Sequence, residues 1–153
     1  MTEQETKEYL QSIQRFRKKN HDILVQIMEL RAVAESCTVR TDKESIQTSG
    51  SGDKMANIVG RIVDLEKKIE RSEEIIRKRR SVVDNITQSM PDKRQVEFLT
   101  IRYIDGNGLY DTAMLMDLSD STAKRVHRKA IAEFTKIYNE KHGHHTKSSG
   151  KSH

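Results

Sequence analysis

The sequence predicts an all-α protein in which a long antiparallel helical hairpin, of the coiled-coil kind, precedes a small three-helix domain. Apolar residues recur at three- and four-residue steps through most of the chain, whereas the alternation typical of strands is almost absent. The 153 residues include one proline and seven glycines, so few positions interrupt a long helix. Charged residues make up 33% and hydrophobic residues 34% of the chain, without tryptophan, which argues against a large compact core.

Two heptad seams, in which apolar residues are spaced alternately by three and four, predict the helices of the hairpin. The first seam consists of Tyr9, Ile13, Phe16, Asn20, Ile23, Ile27, Leu30 and Ala34. The second consists of Met55, Ile58, Ile62, Leu65, Ile69, Ser72, Ile76, Arg79, Val83, Ile86 and Met90. We expect the hairpin core to contain Ile13, Phe16, Ile23, Ile27, Leu30, Ile62, Leu65, Ile69 and Ile76. Antiparallel pairing would also allow the Arg79 guanidinium to lie over the Tyr9 ring.

Residues 1–90 are assigned to this hairpin and to dimerisation, with a flexible connector over residues 36–52. Ser, Gly and β-branched residues replace the periodic pattern in the connector. Further apolar residues lie beside the strict seams: Leu10, Leu24, Met28, Ile75 and Val82. This extra apolar width predicts a partner, and we expect a homodimer in which two hairpins form a four-helix bundle. The alternative is that the hairpin docks on its own C-terminal domain.

Pro91 marks the start of a second domain, residues 91–138, because the residue before a proline is biased away from helix. The first helix of this domain spans residues 92–104 and carries Val96, Leu99, Thr100 and Tyr103 at helical spacing. The Asp-Gly-Asn-Gly sequence at 105–108 then predicts a turn. A short helix covers about residues 110–116 and a tight turn follows at 117–118. Residues 139–153 have no apolar period and are expected to be disordered.

The third helix of the domain begins after Ser119, a good N-cap, and Asp120 adds negative charge to its first turn. Its packing face is predicted to consist of Ala123, Val126, Ala130, Ile131 and Phe134. Basic residues lie largely outside this face, which is the pattern of a helix-turn-helix recognition helix. The residues predicted to contact DNA are Ser119, Asp120, Ser121, Lys124, Arg125, Arg128 and Lys129.

The remaining composition limits the classes of function. A net charge of +5 is compatible with nucleic-acid binding, although many helical proteins share it. Cys37 is the only cysteine, the N-terminus lacks the features of a signal peptide, and no apolar run is long enough to cross a bilayer, so we expect a cytoplasmic protein without membrane contact. We find no nucleophile with a base, no phosphate-binding glycine loop and no convincing metal-ligand spacing, so we expect no enzyme, metal or cofactor.

Thirteen residues of the second domain follow one another in the order found in the fourth region of bacterial sigma factors: Leu99, Arg102, Tyr103, Asp105, Gly106, Asp111, Ala113, Met116, Leu118, Ser119, Thr122, Val126 and Ala130. The chain therefore resembles that region from Pro91 to Phe134. Asp117 replaces the usual glycine, and Asp tolerates a left-handed backbone less well than Gly does. Thr112 replaces an aliphatic residue, so an imperfectly paired hydroxyl is expected to weaken packing.

Together with the hairpin, the domain is similar to small phage-encoded proteins of Gram-positive bacteria, the late-gene activators of the ArpU and RinA type. This resemblance implies a regulator that reads promoter sequences in double-stranded DNA inside a bacterial host, and activation would require contact with RNA polymerase. Two other classes remain open. One is a small terminase subunit for DNA packaging. The other is a protein-interaction module, such as an anti-repressor, that keeps the fold without reading DNA.

Overall fold

The computed structural model describes residues 1–43 and 49–143, and these residues form helices without any strand among them. The prediction of an all-α protein is therefore confirmed. The helices are α1 (Glu3–Lys43), α2 (Ser49–Thr87), α3 (Lys93–Leu99), α4 (Leu109–Leu115) and α5 (Asp120–His142). Residues Thr100–Ile104 prolong α3 as a π-type turn, closed by a hydrogen bond of 2.9 Å from the Asp105 N–H to the Thr100 carbonyl.

Two of the predicted irregular segments are shorter than expected. Helix α1 continues to Lys43 and α2 begins at Ser49, so a connector over the whole of 36–52 is corrected to a much shorter one. No proline interrupts this stretch, and the helix propensities of Ser, Thr and Gly cost only about 0.5–1 kcal/mol per residue. Helix α5 likewise includes residues 139–142, which were expected to belong to the tail. Residues 44–48 and 144–153 lie outside the described residues.

The chain divides into two compact units. The hairpin unit is Phe16–Ile76, and the composite unit combines Met1–Arg15 with Arg77–His153. This division differs from the predicted boundary at residue 90, because both ends of the hairpin belong to the unit that contains the three short helices. A domain limited to the 48 residues 91–138 is close to the size below which a single chain buries too little surface to be stable alone.

In the hairpin unit, α1 and α2 lie side by side and run antiparallel. The five residues between the two helices reach at most about 20 Å, whereas a parallel arrangement would require a return of about 40 Å along the helix axis. Arg31 of α1 forms an ion pair of 3.0 Å with Glu66 of α2. Every seam residue of this unit is buried or half-buried, so the predicted seam is confirmed. The most buried apolar residues are Ile23, Ile27, Ile58 and Ile76.

In the composite unit, residues 3–15 of α1 and 77–87 of α2 share one core with α3, α4 and α5. The buried core residues from the long helices are Leu10, Ile13, Val83 and Ile86. Those from the remainder of the unit are Met90, Phe98, Leu99, Tyr103, Ala113, Ala123, Val126, Ala130, Ile131, Phe134 and Ile137. Ile13, predicted for the hairpin core, is therefore buried in the composite unit instead. The alternative in which the hairpin docks on its own C-terminal domain is correct for the ends of the two long helices.

Polar contacts within the composite unit join α1 to the other helices. The hydroxyl oxygens of Thr6 and Thr135 are hydrogen-bonded at 2.6 Å in a buried position. The Gln14 amide donates to the carbonyl oxygens of Tyr103 at 3.0 Å and Ile104 at 2.9 Å, two acceptors of the π-type turn. The Arg79 guanidinium lies 5.2 Å from the centre of the Tyr9 ring, which confirms the predicted pairing.

None of the helices in residues 1–43 and 49–143 combines the length and the hydropathy that a membrane span requires.

Candidate DNA-binding surface

The turn between α4 and α5 sets the direction in which α5 leaves the domain. Its backbone closes with two hydrogen bonds, from the Leu118 N–H to the Ala113 carbonyl at 2.8 Å and from the Asp117 N–H to the Met114 carbonyl at 3.1 Å. This pair of bonds is a Schellman motif, in which the residue after the C-cap adopts a left-handed backbone. Asp117 occupies that position with φ of 55°. The expected left-handed conformation of Asp117 is confirmed.

Ser119 caps the N-terminus of α5, as predicted. Its backbone is extended, and its hydroxyl oxygen accepts a hydrogen bond of 3.2 Å from the Thr122 N–H. The same hydroxyl lies 2.8 Å from the hydroxyl of Thr122 and donates to it. Because both bonds occupy the Ser119 side chain, we assign it first to positioning the helix. A contact between Ser119 and DNA stays a prediction.

The two faces of α5 differ in burial in the way that the sequence predicts. All five residues of the predicted packing face are buried: Ala123, Val126, Ala130, Ile131 and Phe134. All seven residues predicted to contact DNA are exposed: Ser119, Asp120, Ser121, Lys124, Arg125, Arg128 and Lys129. Four of these seven are cationic. The structure therefore brings them together along one helix with their side chains accessible, and leaves their contacts with DNA as a prediction.

Asp120 and Lys124, one turn apart on α5, form an ion pair of 3.1 Å. Both side chains are largely exposed, so the pair contributes no more than about 1 kcal/mol to stability. It restricts where the Lys124 ammonium group lies on the surface. The Asp120 carboxylate can in turn accept a hydrogen bond from a cytosine amino group in a major groove.

A groove between α3 and α5 adds a cation that sequence reasoning missed. It is lined by Asp92, Arg94, Gln95, Thr122, Arg125, Val126 and Lys129. Asp92 caps α3, since its carboxylate accepts hydrogen bonds from the N–H groups of Arg94 at 2.9 Å and Gln95 at 3.4 Å. This cap places Arg94 beside Arg125 and Lys129. The sequence Pro-Asp-Lys-Arg at 91–94, a cap followed by two cations, could have indicated the additional residue.

His127 belongs to the packing of α5 and not to its exposed surface. Its ring lies 5.4 Å from the Phe98 ring centre, and its Nε2 shares a hydrogen bond of 2.6 Å with the Tyr103 hydroxyl. Burial, followed by the nearby charges of Lys7 and Arg102, lowers the pKa of His127 to about 4. The imidazole is therefore neutral near pH 7 and adds no charge to the exposed face of α5.

Thr112, where the sigma-factor pattern has an aliphatic residue, is fully buried in α4. Its hydroxyl donates a hydrogen bond of 2.8 Å to the Gly108 carbonyl. The expectation of an imperfectly paired hydroxyl is therefore wrong, because the first turn of α4 supplies an acceptor within the same helix. The packing penalty expected at this position does not arise from an unsatisfied group.

Formal charge is distributed unequally between the two units. The hairpin unit contains eleven Lys and Arg residues and eleven Asp and Glu residues, so its formal net charge is zero. The entire net charge of +5 therefore belongs to the composite unit, which contains α5. A charge of this sign raises the local concentration of a polyanion near that unit.

Among the residues that the structure describes, no three His, Cys, Asp or Glu side chains are grouped as metal ligands would be. His142 packs against the Tyr138 ring, with 4.3 Å between ring centres. His144 and His145 lie outside the described residues. No protein-family model, curated protein or solved structure matches this chain.

Proposed function

We propose that this protein is a homodimeric regulator of transcription that binds specific sequences in double-stranded DNA through α5. The observation that supports this proposal best is the division of α5 into a buried apolar face and an exposed face with four cations, starting at a capped N-terminus. A helix held in this way presents its first turns to a major groove, which is wide enough to admit it.

The geometry suggests how the individual residues would act. Lys124, Arg125 and Arg128 can donate to the N7 and O6 acceptors of guanine, or to phosphate oxygens. Arg94 and Lys129, in the groove between α3 and α5, would bind the adjacent phosphates. The Schellman turn at Asp117 fixes the angle between α4 and α5, and so the angle at which α5 would enter the groove.

We further propose that the regulator is a phage or prophage late-gene activator that acts at promoters in the cytoplasm of a bacterial host. The support is the resemblance of residues 91–134 to the fourth region of sigma factors, together with the helical hairpin that precedes them. An activator of this kind would contact RNA polymerase at the same promoter.

The test is selection of DNA fragments from the genome that encodes the protein, followed by fluorescence anisotropy with the selected duplex and a random duplex. Lys124→Ala and Arg125→Ala are each expected to weaken specific binding by about 1–3 kcal/mol where the side chain reads a base. Where it binds a phosphate, the dependence of affinity on salt should become shallower instead. Lys67→Ala, an exposed lysine of the neutral hairpin unit, is the matched control and should leave affinity unchanged.

Other outcomes would point to the other classes. Equal affinity for selected and random duplexes at low salt would overturn sequence-specific binding and favour a protein-interaction module. A closed ring of many subunits would favour a terminase subunit. An unchanged affinity in the Lys124→Ala/Arg125→Ala double variant would show that α5 is not the DNA-contacting helix.

A further inference from the structure

The described part of the hairpin unit exposes more large apolar side chains than it buries. Its exposed large hydrophobic residues are Leu24, Val25, Met28, Val33, Val59, Val63 and Ile75. Among the residues of this unit that the structure describes, only four apolar residues are buried, all of them isoleucines. Two helices that share so narrow a core are marginally stable in water, and adjoining exposed apolar side chains commonly mark an interface.

Four of these exposed residues lie on one face of the hairpin unit. Leu24 and Met28 are one turn apart on α1, and Val59 and Val63 are one turn apart on α2. The ion pair between Arg31 and Glu66 shows where this face lies. Arg31 follows Met28 by three residues on α1, and Glu66 follows Val63 by three residues on α2. We call Leu24, Met28, Val59 and Val63 the apolar face.

The opposite side of the hairpin unit carries a groove of mixed character. It is lined by Lys19, Asp22, Gln26, Lys68, Arg71 and the apolar Ile75, together with seam residues. Two of those seam residues, Asn20 and Ser72, each have a buried oxygen without a hydrogen-bond partner in the described part of the chain. Such atoms require water or another polar group, so this side is unsuited to a dry apolar contact.

We propose that a second copy of the chain packs on the apolar face. This inference deepens the homodimer of the proposed function, and rests on that function only for its dimeric state. The two helices of the unit are about 40 Å long and together about 20 Å wide, so one face offers roughly 800 Å², the area that each partner contributes to a stable interface. With equal numbers of positive and negative residues, two hairpin units do not repel one another through net charge.

The arrangement that matches apolar side chains to apolar side chains is a two-fold axis perpendicular to the helices. It places each helix antiparallel to its own copy. An axis that passes between Leu24 and Met28 sets Leu24 against Met28 of the second copy, and it directs Val59 and Val63 towards α2 of the second copy. Such an interface is isologous and closes at two subunits.

The test compares two double variants of the full-length chain by analytical ultracentrifugation over a range of concentrations. Leu24→Asp/Met28→Asp places charges in the apolar face and should raise the dissociation constant of the dimer by about a hundredfold or more. The matched control, Met114→Asp/Leu115→Asp, changes residues of the same types on α4. Met28 is 68% exposed and Met114 62% exposed, so the two methionines differ in location and hardly in accessibility.

Circular dichroism of each variant should show retained helix, since all four side chains are already exposed in the single chain. A wild-type protein that stays monomeric, or a control that dissociates as readily as Leu24→Asp/Met28→Asp, overturns the proposal. Val33→Asp adds a second check: Val33 is 44% exposed on the side of α1 away from Leu24 and Met28, so this change should leave the dimer intact.

The two-fold arrangement is tested by disulfide formation in a Cys37→Ser background. A mixture of Leu24→Cys and Met28→Cys chains should form cross-linked dimers faster than either chain alone, whereas equal rates would contradict the antiparallel contact.

Measuring DNA binding by fluorescence anisotropy on the same samples separates this proposal from the proposed function. A monomer that discriminates between sequences refutes the interface and the dimeric state but leaves the DNA-binding function, and a stable dimer without discrimination refutes only the DNA-binding function.

Discussion

Individual side chains of the composite unit have roles that depend on partners far away in the sequence. His127 is an example, because its neighbours Phe98 and Tyr103 come from α3 and the π-type turn. The periodic pattern places His127 beside Val126 on α5 but does not identify the phenol that binds it. Burial also raises the pKa of Tyr103, so this phenol stays protonated and can donate to the neutral imidazole.

The lowered pKa of His127 predicts that stability falls in acid. In the folded protein the pKa is about 4, below the ordinary value of 6.5, so the unfolded chain binds the proton more tightly. The contribution of His127 is therefore complete above about pH 6.5 and is lost as the pH falls towards 4. We expect a loss on the order of 1–2 kcal/mol, less than the full shift implies because the ring is partly accessible to water.

The measurement is urea unfolding of the wild type and of His127→Gln between pH 4 and pH 7.5. The free energy of unfolding of the variant should depend less on pH over this interval than that of the wild type. Parallel curves for the two proteins would show that His127 does not titrate differently in the folded and unfolded states.

At the scale of helices and turns, the periodic patterns predicted the buried residues of the seams and of α5, but in α3 they missed Phe98, which is buried, and included Thr100, which is exposed. Both seams and the packing face of α5 follow directly from apolar spacing, and Ser119 and Asp117 were recognisable from their preferences for a cap and a left-handed turn. Helix ends were less predictable, since the Ser and Gly residues near 36–52 lower helix propensity without preventing a helix. The π-type turn could not be foreseen, because its carbonyl groups are satisfied by Gln14, about ninety residues earlier.

The turn between α4 and α5 yields a prediction about Asp117. Its φ of 55° costs conformational energy for a residue with a Cβ, whereas glycine adopts this backbone without strain. Asp117→Gly should stabilise the protein by about 0.5–1 kcal/mol, after allowance for the greater entropy of glycine in the unfolded chain, and Asp117→Ala should destabilise it. Thermal melts of both variants give the order of stabilities.

Asp105→Gly serves as the comparison for Asp117→Gly. Asp105 has φ of −79°, a conformation that any residue adopts, so glycine there should only destabilise. If Asp117→Gly and Asp105→Gly lower the melting temperature equally, the strain assigned to Asp117 is absent.

At the scale of the whole chain, the candidate DNA-binding surface depends on residues from both ends of the sequence. Contacts such as Thr6 with Thr135 are not periodic, and this explains why sequence reasoning placed a boundary at residue 90 that the packing does not follow. The groove cation Arg94 was missed for a related reason, since only the folded domain brings it beside Arg125 and Lys129.

Leu10 provides the test of this shared core. It is fully buried although it lies outside residues 91–138, so Leu10→Ala should destabilise the composite unit by about 2–5 kcal/mol. Leu115→Ala, at a side chain that is 65% exposed, should change stability by less than about 0.5 kcal/mol. Hydrogen exchange of α5 amides reports on the unit directly. Unchanged protection of α5 in Leu10→Ala would mean that residues 91–138 fold independently.

The hydrogen bonds between Met1 and Asn139 have a consequence for how the protein is made. The terminal ammonium group donates to the Asn139 side chain at 2.8 Å, and the Asn139 amide donates to the Met1 carbonyl at 2.9 Å. A ribosome that has just released the first helical turns must therefore add more than a hundred residues before those turns meet their partners. Until then the buried side chains of those first turns lack part of their cover, so the composite unit would be completed only after residues 135–139 have been added.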